Sequence, residues 1–183
     1  MHPSLRSVLM LLLIIPGLLI LPACAKYTRV VKKETKTETN QTEIDRQKEL
    51  EAERQRKEAE QRRFRAAQTQ FLGEDIYFKK GSYRLQPEAR TVLYRKAGFL
   101  KKYPQVSVII EGHTDESGSR ETNIAFGEHR SGAVKSFLIR EGIQRERLIA
   151  VSYGKERPVD TAKTKKARAK NRRVHFVIKE SPH

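Results

Sequence analysis

The chain has 183 residues, with 38 Lys and Arg against 22 Asp and Glu, which gives a formal net charge of +16. Its hydrophobic fraction of 37% is below the roughly 45–50% of ordinary globular domains, so a large buried enzyme core is not expected. The single Cys excludes both a disulfide scaffold and a four-Cys zinc site. The positive charge leaves three classes of partner open: nucleic acid, an anionic membrane surface, or an acidic polymer.

The N-terminus predicts export and lipidation. An apolar run from Val8 to Leu21 is shorter than the roughly 20 residues of a membrane span but suits the core of a signal peptide. The Leu21-Pro22-Ala23-Cys24 sequence that closes it resembles a bacterial lipobox, which implies cleavage before Cys24 and acylation of that residue. We therefore expect a lipoprotein signal peptide over residues 1–23. The alternatives are an ordinary signal peptide, or an uncleaved anchor with an incidental Cys.

Two polar segments follow the lipobox. Residues 24–42 show no apolar periodicity and predict a disordered tether that begins at the lipidated Cys. Residues 43–65 hold seven acidic and eight basic side chains, mostly of good helix formers, and Glu58 and Arg62 form a favourable i,i+4 pair. Because Ile44, Leu50 and Phe64 do not keep a heptad spacing, residues 43–70 predict a solvated helical spacer rather than a coiled coil.

A globular domain is expected over residues 71–180, where apolar periodicity begins. The predicted elements are strands at 76–78, 106–110, 148–153 and 174–178, and helices from 87 to before Pro104, from 123 to 142, and over 162–170. This β-α-β-α-β-α-β order predicts an α/β two-layer sandwich in which helices cover a four-stranded sheet. Asn123 is the expected N-cap of the second helix, and Gly142 is expected to end it.

Five sequence blocks identify the domain. They are Val108–Asp115, Asn123–Ala125, Arg130, Val151–Val159 and Asn171–Val174. In this order they resemble the OmpA-like peptidoglycan-binding domain family over residues 73–179, and most closely its peptidoglycan-associated lipoprotein branch. The resemblance implies an OmpA-C-like fold with a mixed sheet, no catalytic activity and no cofactor.

The family binds meso-diaminopimelate of the peptidoglycan stem peptide, a group with an ammonium and a carboxylate on one terminus. The resemblance implies that Asp115 receives the ammonium and that Arg130 receives the carboxylate, preferably as a bidentate pair. The alternative for these two residues is a structural salt bridge between loop and helix. The other implied ligand residues are Asn123, Arg173 and Ser117, and the supporting loop residues are Gly112, Thr114 and Gly118. Asn123 could instead serve only as a helix cap, and Arg173 only as a buried structural residue.

One motif departs from the family pattern. Relatives usually have Phe-Asp-x-Asp or Phe-Asp-x-Asn after the first strand, whereas this chain has Phe78-Lys79-Lys80-Gly81. A Lys therefore replaces an acid, and any ligand contact at Gly81 can come only from the backbone.

The expected function is that of an outer-membrane lipoprotein whose periplasmic domain holds peptidoglycan and so tethers the membrane to the cell wall. The family branch implies a Tol-type system with a TolB-like partner. The alternatives are a wall-binding lipoprotein of another envelope assembly, such as a motor or secretion complex, and a basic nucleic-acid binder. The latter would use residues 161–173, which hold seven Lys and Arg and no acid. Without interleaved aromatic residues, nucleic acid is not expected as a partner.

Catalytic and metal chemistry have little support in the sequence. His113, His129 and His175 lack the spacing of metal ligands, and no Gly-x-Ser-x-Gly motif for a nucleophilic Ser occurs. Hydrolysis of peptidoglycan is the weak enzymatic alternative.

Overall fold

The computed structural model describes residues 24–179, with side chains from residue 39 onward. The predicted signal peptide, residues 1–23, lies outside the described residues, as does the Cys24 side chain. The described part of the chain divides into two units, with the boundary between Arg56 and Lys57. Within the described part of the chain, no helix is both long enough and apolar enough to cross a membrane.

The first helix, α1 (Cys24–Leu72), contains the predicted charged spacer. Every side chain described from 39 to 56 is exposed, including the apolar Ile44 and Leu50, which is the environment expected for a solvated helix. The helix also includes residues 24–42, where the sequence predicts a disordered tether. That segment contains neither Pro nor Gly, so no residue in it breaks the helical backbone hydrogen bonds.

The second unit contains one mixed sheet. Its strands are β1 (Ile76–Tyr77), β2 (Ser107–His113), β3 (Leu148–Gly154) and β4 (Arg173–Lys179). They lie in the order β1-β4-β2-β3, with β2 and β3 parallel and the other two pairs antiparallel. The helices are α2 (Pro87–Lys102), α3 (Arg120–Arg140) and α4 (Lys165–Asn171), with a short 3-10 turn at Arg145–Arg147. The predicted mixed four-stranded α/β architecture is confirmed.

The core lies between the sheet and α2 and α3. Alternate residues of the central strands are fully buried, as the two-residue period of a strand requires. These are Val108 and Ile110 in β2, and Val174 and Phe176 in β4. They belong to one cluster with Leu93 and Leu100 of α2 and with Val134 and Leu138 of α3.

The end of α3 agrees with the sequence, but its beginning does not. Gly142 has a φ of +87°, and its N–H donates to Ile139 O while the N–H of Ile143 donates to Leu138 O, which is the Schellman arrangement. The predicted N-cap at Asn123 is wrong, because the helix begins at Arg120 and Ser119 is its cap.

The compact unit begins earlier than the predicted boundary at residue 71. Phe64 and Phe71, in the last turns of α1, pack on α2: Phe64 lies 4.9 Å from the ring of Tyr103, and Phe71 lies 4.6 Å from the ring of Phe99. These aromatic contacts make the end of the spacer helix part of the domain.

Candidate functional site

A polar pocket of about 230 Å³ opens beyond the C-terminal end of β2. The loop after β2, the first turns of α3 and the residue before β4 form its walls. Asp115 and Arg130, fifteen positions apart in the sequence, both line it. The other residues that matter here are Lys80, Gly81, Thr114, Ser117, Asn123 and Arg172.

Asp115 is the one acid of this pocket and is largely buried, with 8% of its side chain exposed. One carboxylate oxygen accepts the Ser117 N–H at 3.1 Å, and the other accepts a guanidinium N–H of Arg172 at 2.9 Å. Burial opposes ionisation, but the hydrogen bonds from Arg172 and Ser117 outweigh it and hold the pKa of the carboxyl below its usual value. Asp115 is therefore charged at neutral pH. Because a carboxylate has about four acceptor positions, it can also accept hydrogen bonds from a ligand.

Arg130 is 2% exposed and is held by backbone carbonyls. Its Nε donates to Ser82 O at 3.0 Å, and its Nη1 donates to His113 O at 2.8 Å. Burial, with the nearby Arg172 charge, lowers its pKa to about 10, so it remains cationic at neutral pH. Two of its five N–H donors are committed in this way, and three remain for a carboxylate.

The structure contains no ion pair between Asp115 and Arg130 among the described side chains. Asp115 is instead paired with Arg172, which belongs to the Asn171–Val174 block but is not among the ligand residues that the resemblance implies. The loop–helix salt bridge considered from the sequence is therefore not formed by these two residues. Both remain in the pocket walls with hydrogen-bonding capacity to spare.

The loop that carries Asp115 is fixed from α3. The Asn123 amide donates to Ser117 O and to Ser119 O, at 2.9 and 2.8 Å, so this residue braces the loop rather than capping the helix. Gly118 takes a φ of +88° within the loop. Thr114 donates its N–H to Gly154 O, and its buried hydroxyl has no hydrogen-bond partner in the part of the chain that the structure describes.

Gly112 brings β2 against α3 just before the pocket. A Cβ on Gly112 would lie 2.0 Å from Gly127 O, so only Gly allows this approach. Gly112 is among the supporting residues that the resemblance implies, whereas Gly127 on the facing helix is not. Gly81 has a φ of +61° with open space around it, and it lines the pocket through its backbone.

Arg173 does not line this pocket, contrary to the role implied by the resemblance. Its guanidinium lies 3.3 Å from Asp75 and 3.5 Å from Arg157 O. Arg172 is the residue between α4 and β4 and Arg173 is the first residue of β4, and the two side chains reach different acids, Asp115 and Asp75. The adjacent Arg172 reaches Asp115, and the sequence alone could not say which of the two Arg residues would do so.

The histidines considered as metal ligands are not arranged as a metal site. Burial lowers the pKa of His113 to about 4, and its ring stacks on Tyr153 at 5.7 Å. His175 is 2.8 Å from Asp75. Within the described residues, no group of three or more His, Cys, Asp or Glu is placed to hold a metal ion.

The comparison with known families decides the classification. Residues 77–172 match the model of the OmpA family. This chain belongs to the OmpA family. The match covers β2, β3, α2, α3 and α4, and the pocket, including both Asp115 and Arg130.

Relatives of this OmpA-family chain are named peptidoglycan-associated lipoprotein. The protein of that name from Pseudomonas aeruginosa is 48% identical over 101 residues, which cover 55% of this chain and 60% of the relative. The one from Mesorhizobium japonicum is 40% identical over 103 residues, which cover 56% and 61%. The chain thus matches less than two thirds of the length of these relatives.

Solved structures agree on the fold. The peptidoglycan-associated lipoprotein from Burkholderia pseudomallei is 36% identical, with a TM-score of 0.57, and the match covers 60% of this chain and 93% of that one. The C-terminal domain of Helicobacter pylori MotB gives a TM-score of 0.56 at 23% identity, which shows a shared fold and no more.

Proposed function

We propose that the OmpA-family domain binds the diaminopimelate of peptidoglycan non-covalently in the pocket between Asp115 and Arg130. The observation that carries this proposal is that one buried acid and one buried cation line the same cavity without pairing with each other. A zwitterionic ligand terminus satisfies both at once: its ammonium donates to Asp115, and its carboxylate accepts from the free N–H groups of Arg130.

We also propose that Cys24 is acylated and anchors the chain in the outer membrane, with the domain in the periplasm. The lipobox at Leu21–Cys24 supports this, and so do the names of the relatives. Anchor and domain together would tether the membrane to the wall, and many copies with modest individual affinity would give a firm attachment. Incorporation of labelled palmitate should occur in the wild type and not in Cys24→Ser.

A Tol-type system with a TolB-like partner is the assembly we propose, on the strength of the similarity to peptidoglycan-associated lipoproteins. In-cell cross-linking followed by identification of the linked proteins tests this. Linkage to a motor or secretion complex instead would favour the alternative assembly.

Sedimentation with purified insoluble peptidoglycan tests the binding site. Asp115→Asn keeps the size of the side chain and removes its charge. It should lower the affinity about 10- to 100-fold, because a hydrogen bond to a charged group contributes roughly 1.5–3 kcal/mol. The matched control is Glu116→Gln, the neighbouring acid, which is exposed and paired with Arg168 at 2.7 Å. Equal binding by Asp115→Asn and the wild type would refute the proposed site.

A further inference from the structure

A second cavity adjoins the diaminopimelate pocket and has no role so far. It is a groove of about 540 Å³ between β1, the first turns of α2, and α4. We call it the lysine groove, after Lys79, Lys166 and Lys170 in its walls. Its apolar lining is formed by Phe78, Ala89 and Val92.

The groove and the pocket share a wall. Arg172 lines both cavities. The consecutive Lys79 and Lys80 divide between them, Lys79 lining the groove and Lys80 lining the pocket. Arg172 is fixed in place because it donates to Phe78 O at 3.2 Å and to Asp115 at 2.9 Å. A ligand held in the pocket therefore has the groove directly beside it.

The charges of the groove favour an anionic occupant. Lys79 and Lys166 are exposed and have no ion-pair partner among the side chains described from residue 39 to 179, whereas Lys170 is paired with Asp160 at 2.8 Å. Of the two acids in the walls, Asp75 is paired with Arg173, which leaves Glu88 opposite two free lysines. The excess charge is positive, so a carboxylate is attracted to it.

The two-residue edge strand β1 lies beside the groove and pairs only with β4. The Phe78 N–H donates to Arg172 O at 2.9 Å, and the Tyr77 side chain, which also lines the groove, is 52% exposed. Small apolar groups of a ligand can pack against this ring and the apolar lining.

We propose that the lysine groove binds the part of the stem peptide next to diaminopimelate, through its glutamyl carboxylate and its alanine methyl groups. This inference rests on the proposed function, because the diaminopimelate in the pocket brings the rest of the peptide to the groove. It gives Lys79, which stands where relatives have an acid, a role in ligand binding. The domain then recognises a carboxylate-bearing peptide rather than diaminopimelate alone.

Calorimetric titration of the full purified chain separates the two sites with three synthetic ligands. The first is free meso-diaminopimelate. The second is a tetrapeptide that consists of alanine, γ-linked glutamate, diaminopimelate and alanine, in that order. The third is the same tetrapeptide with its glutamyl carboxylate amidated. The test variant is Lys79→Ala combined with Lys166→Ala. The control is Lys101→Ala combined with Arg145→Ala. It removes the same charge from exposed positions outside both cavities, and Lys101 is about 18 Å along α2 from Ala89.

The test variant should bind the tetrapeptide about fivefold more weakly than the wild type, since each exposed ion pair contributes up to about 1 kcal/mol. It should bind free diaminopimelate as the wild type does, and the amidated tetrapeptide should show a smaller loss. Unchanged tetrapeptide binding would overturn the inference. An equal loss for free diaminopimelate would also overturn it, because long-range charge attraction would then be the cause.

The same titrations distinguish failure of the groove from failure of the pocket. If Asp115→Asn binds free diaminopimelate as well as the wild type, the proposed pocket is wrong, whatever the lysine variants show. If the lysine variants bind every wall ligand normally but lose a protein cross-link in cells, the groove holds an acidic protein segment, and the present inference is refuted.

Discussion

Two cations of this domain are equally buried, each with 2% of its surface exposed: Lys96 in α2 and Arg130 in α3. The Lys96 ammonium donates to Phe71 O and lies 4.4 and 4.3 Å from the ring centroids of Phe71 and Phe176. Arg130 also donates to backbone carbonyls and lies 5.3 Å from the Phe78 ring. What differs is the acid in the adjoining cavity. Arg130 shares its cavity with the buried Asp115, whereas Lys96 lines a cavity whose acid, Glu74, is 35% exposed and paired with Arg95. A buried cation alone is thus a structural feature, and a buried acid in the same cavity is what suggests a ligand.

The largest effect expected from this difference is the contribution of Lys96 to the pH dependence of folding stability. Burial lowers the pKa of Lys96 from 10.5 to about 8. Between these values the unfolded chain binds more protons than the folded one, so stability rises as the pH increases from 8 to 10.5. The contribution of this one group over that window is roughly 3 kcal/mol.

Denaturant unfolding of the wild type and Lys96→Met at several pH values measures this contribution. The variant has no group to titrate there, so its stability curve should lack the extra rise while its wall binding stays normal. If the free energies of unfolding of the two proteins change with pH in parallel, folding does not lower the pKa of Lys96.

Arg130→Lys should have the next largest effect. It should change the affinity for diaminopimelate rather than the pH dependence of stability. Lys keeps the charge but cannot reach Ser82 O, His113 O and a ligand carboxylate together, because it lacks the planar fork of Arg. We expect about tenfold weaker binding of diaminopimelate and a lower melting temperature. Calorimetric titration and thermal unfolding measure the two effects. Wild-type affinity in a folded variant would remove Arg130 from the site.

The neighbouring arginines provide a smaller and more selective comparison. Arg172→Lys loses either the bond to Phe78 O or the bond to Asp115, so wall affinity should fall a few-fold, by about 1 kcal/mol. Arg173→Lys affects only the contacts with Asp75 and Arg157 O, and it should lower stability while leaving the affinity unchanged. The reverse outcome, with binding lost only in Arg173→Lys, would restore the role that the family resemblance implies for Arg173.

Gly81→Asn should have the smallest effect. Gly81 has a positive φ, which Asn tolerates better than most residues, and a Cβ there meets open space. The variant should fold normally and bind wall fragments with an affinity equal to or up to a few-fold higher than that of the wild type, because an amide would enter the pocket wall. Weaker binding would show that the departure from the family motif suits the ligand of this chain.

Much of this architecture could be predicted from local patterns. The strand that contains Val108 and Ile110 is predicted by the alternation of its buried apolar residues, and the end of α3 is predicted by Gly142. Lys96 was missed although a signal existed: it is three residues after Leu93 and four before Leu100, on the face of α2 that the periodicity assigns to the core. The beginning of α3 was misplaced because Ser119 and Asn123 are both good caps. The choice between Arg172 and Arg173 depends on how the chain passes from α4 into β4, which no local pattern specifies.

We propose that Asp115 serves a ligand, whereas an otherwise similar acid serves the fold. Asp75 is also ion-paired with an Arg, but it lines the lysine groove and not the diaminopimelate pocket, so Asp75→Asn is the matched control for binding of free diaminopimelate by Asp115→Asn. Titration of free meso-diaminopimelate into both variants and the wild type tests the claim directly. We predict at least tenfold weaker binding for Asp115→Asn and wild-type affinity for Asp75→Asn, with the larger loss of stability in the latter. Equal affinities for wild type and Asp115→Asn would contradict the account.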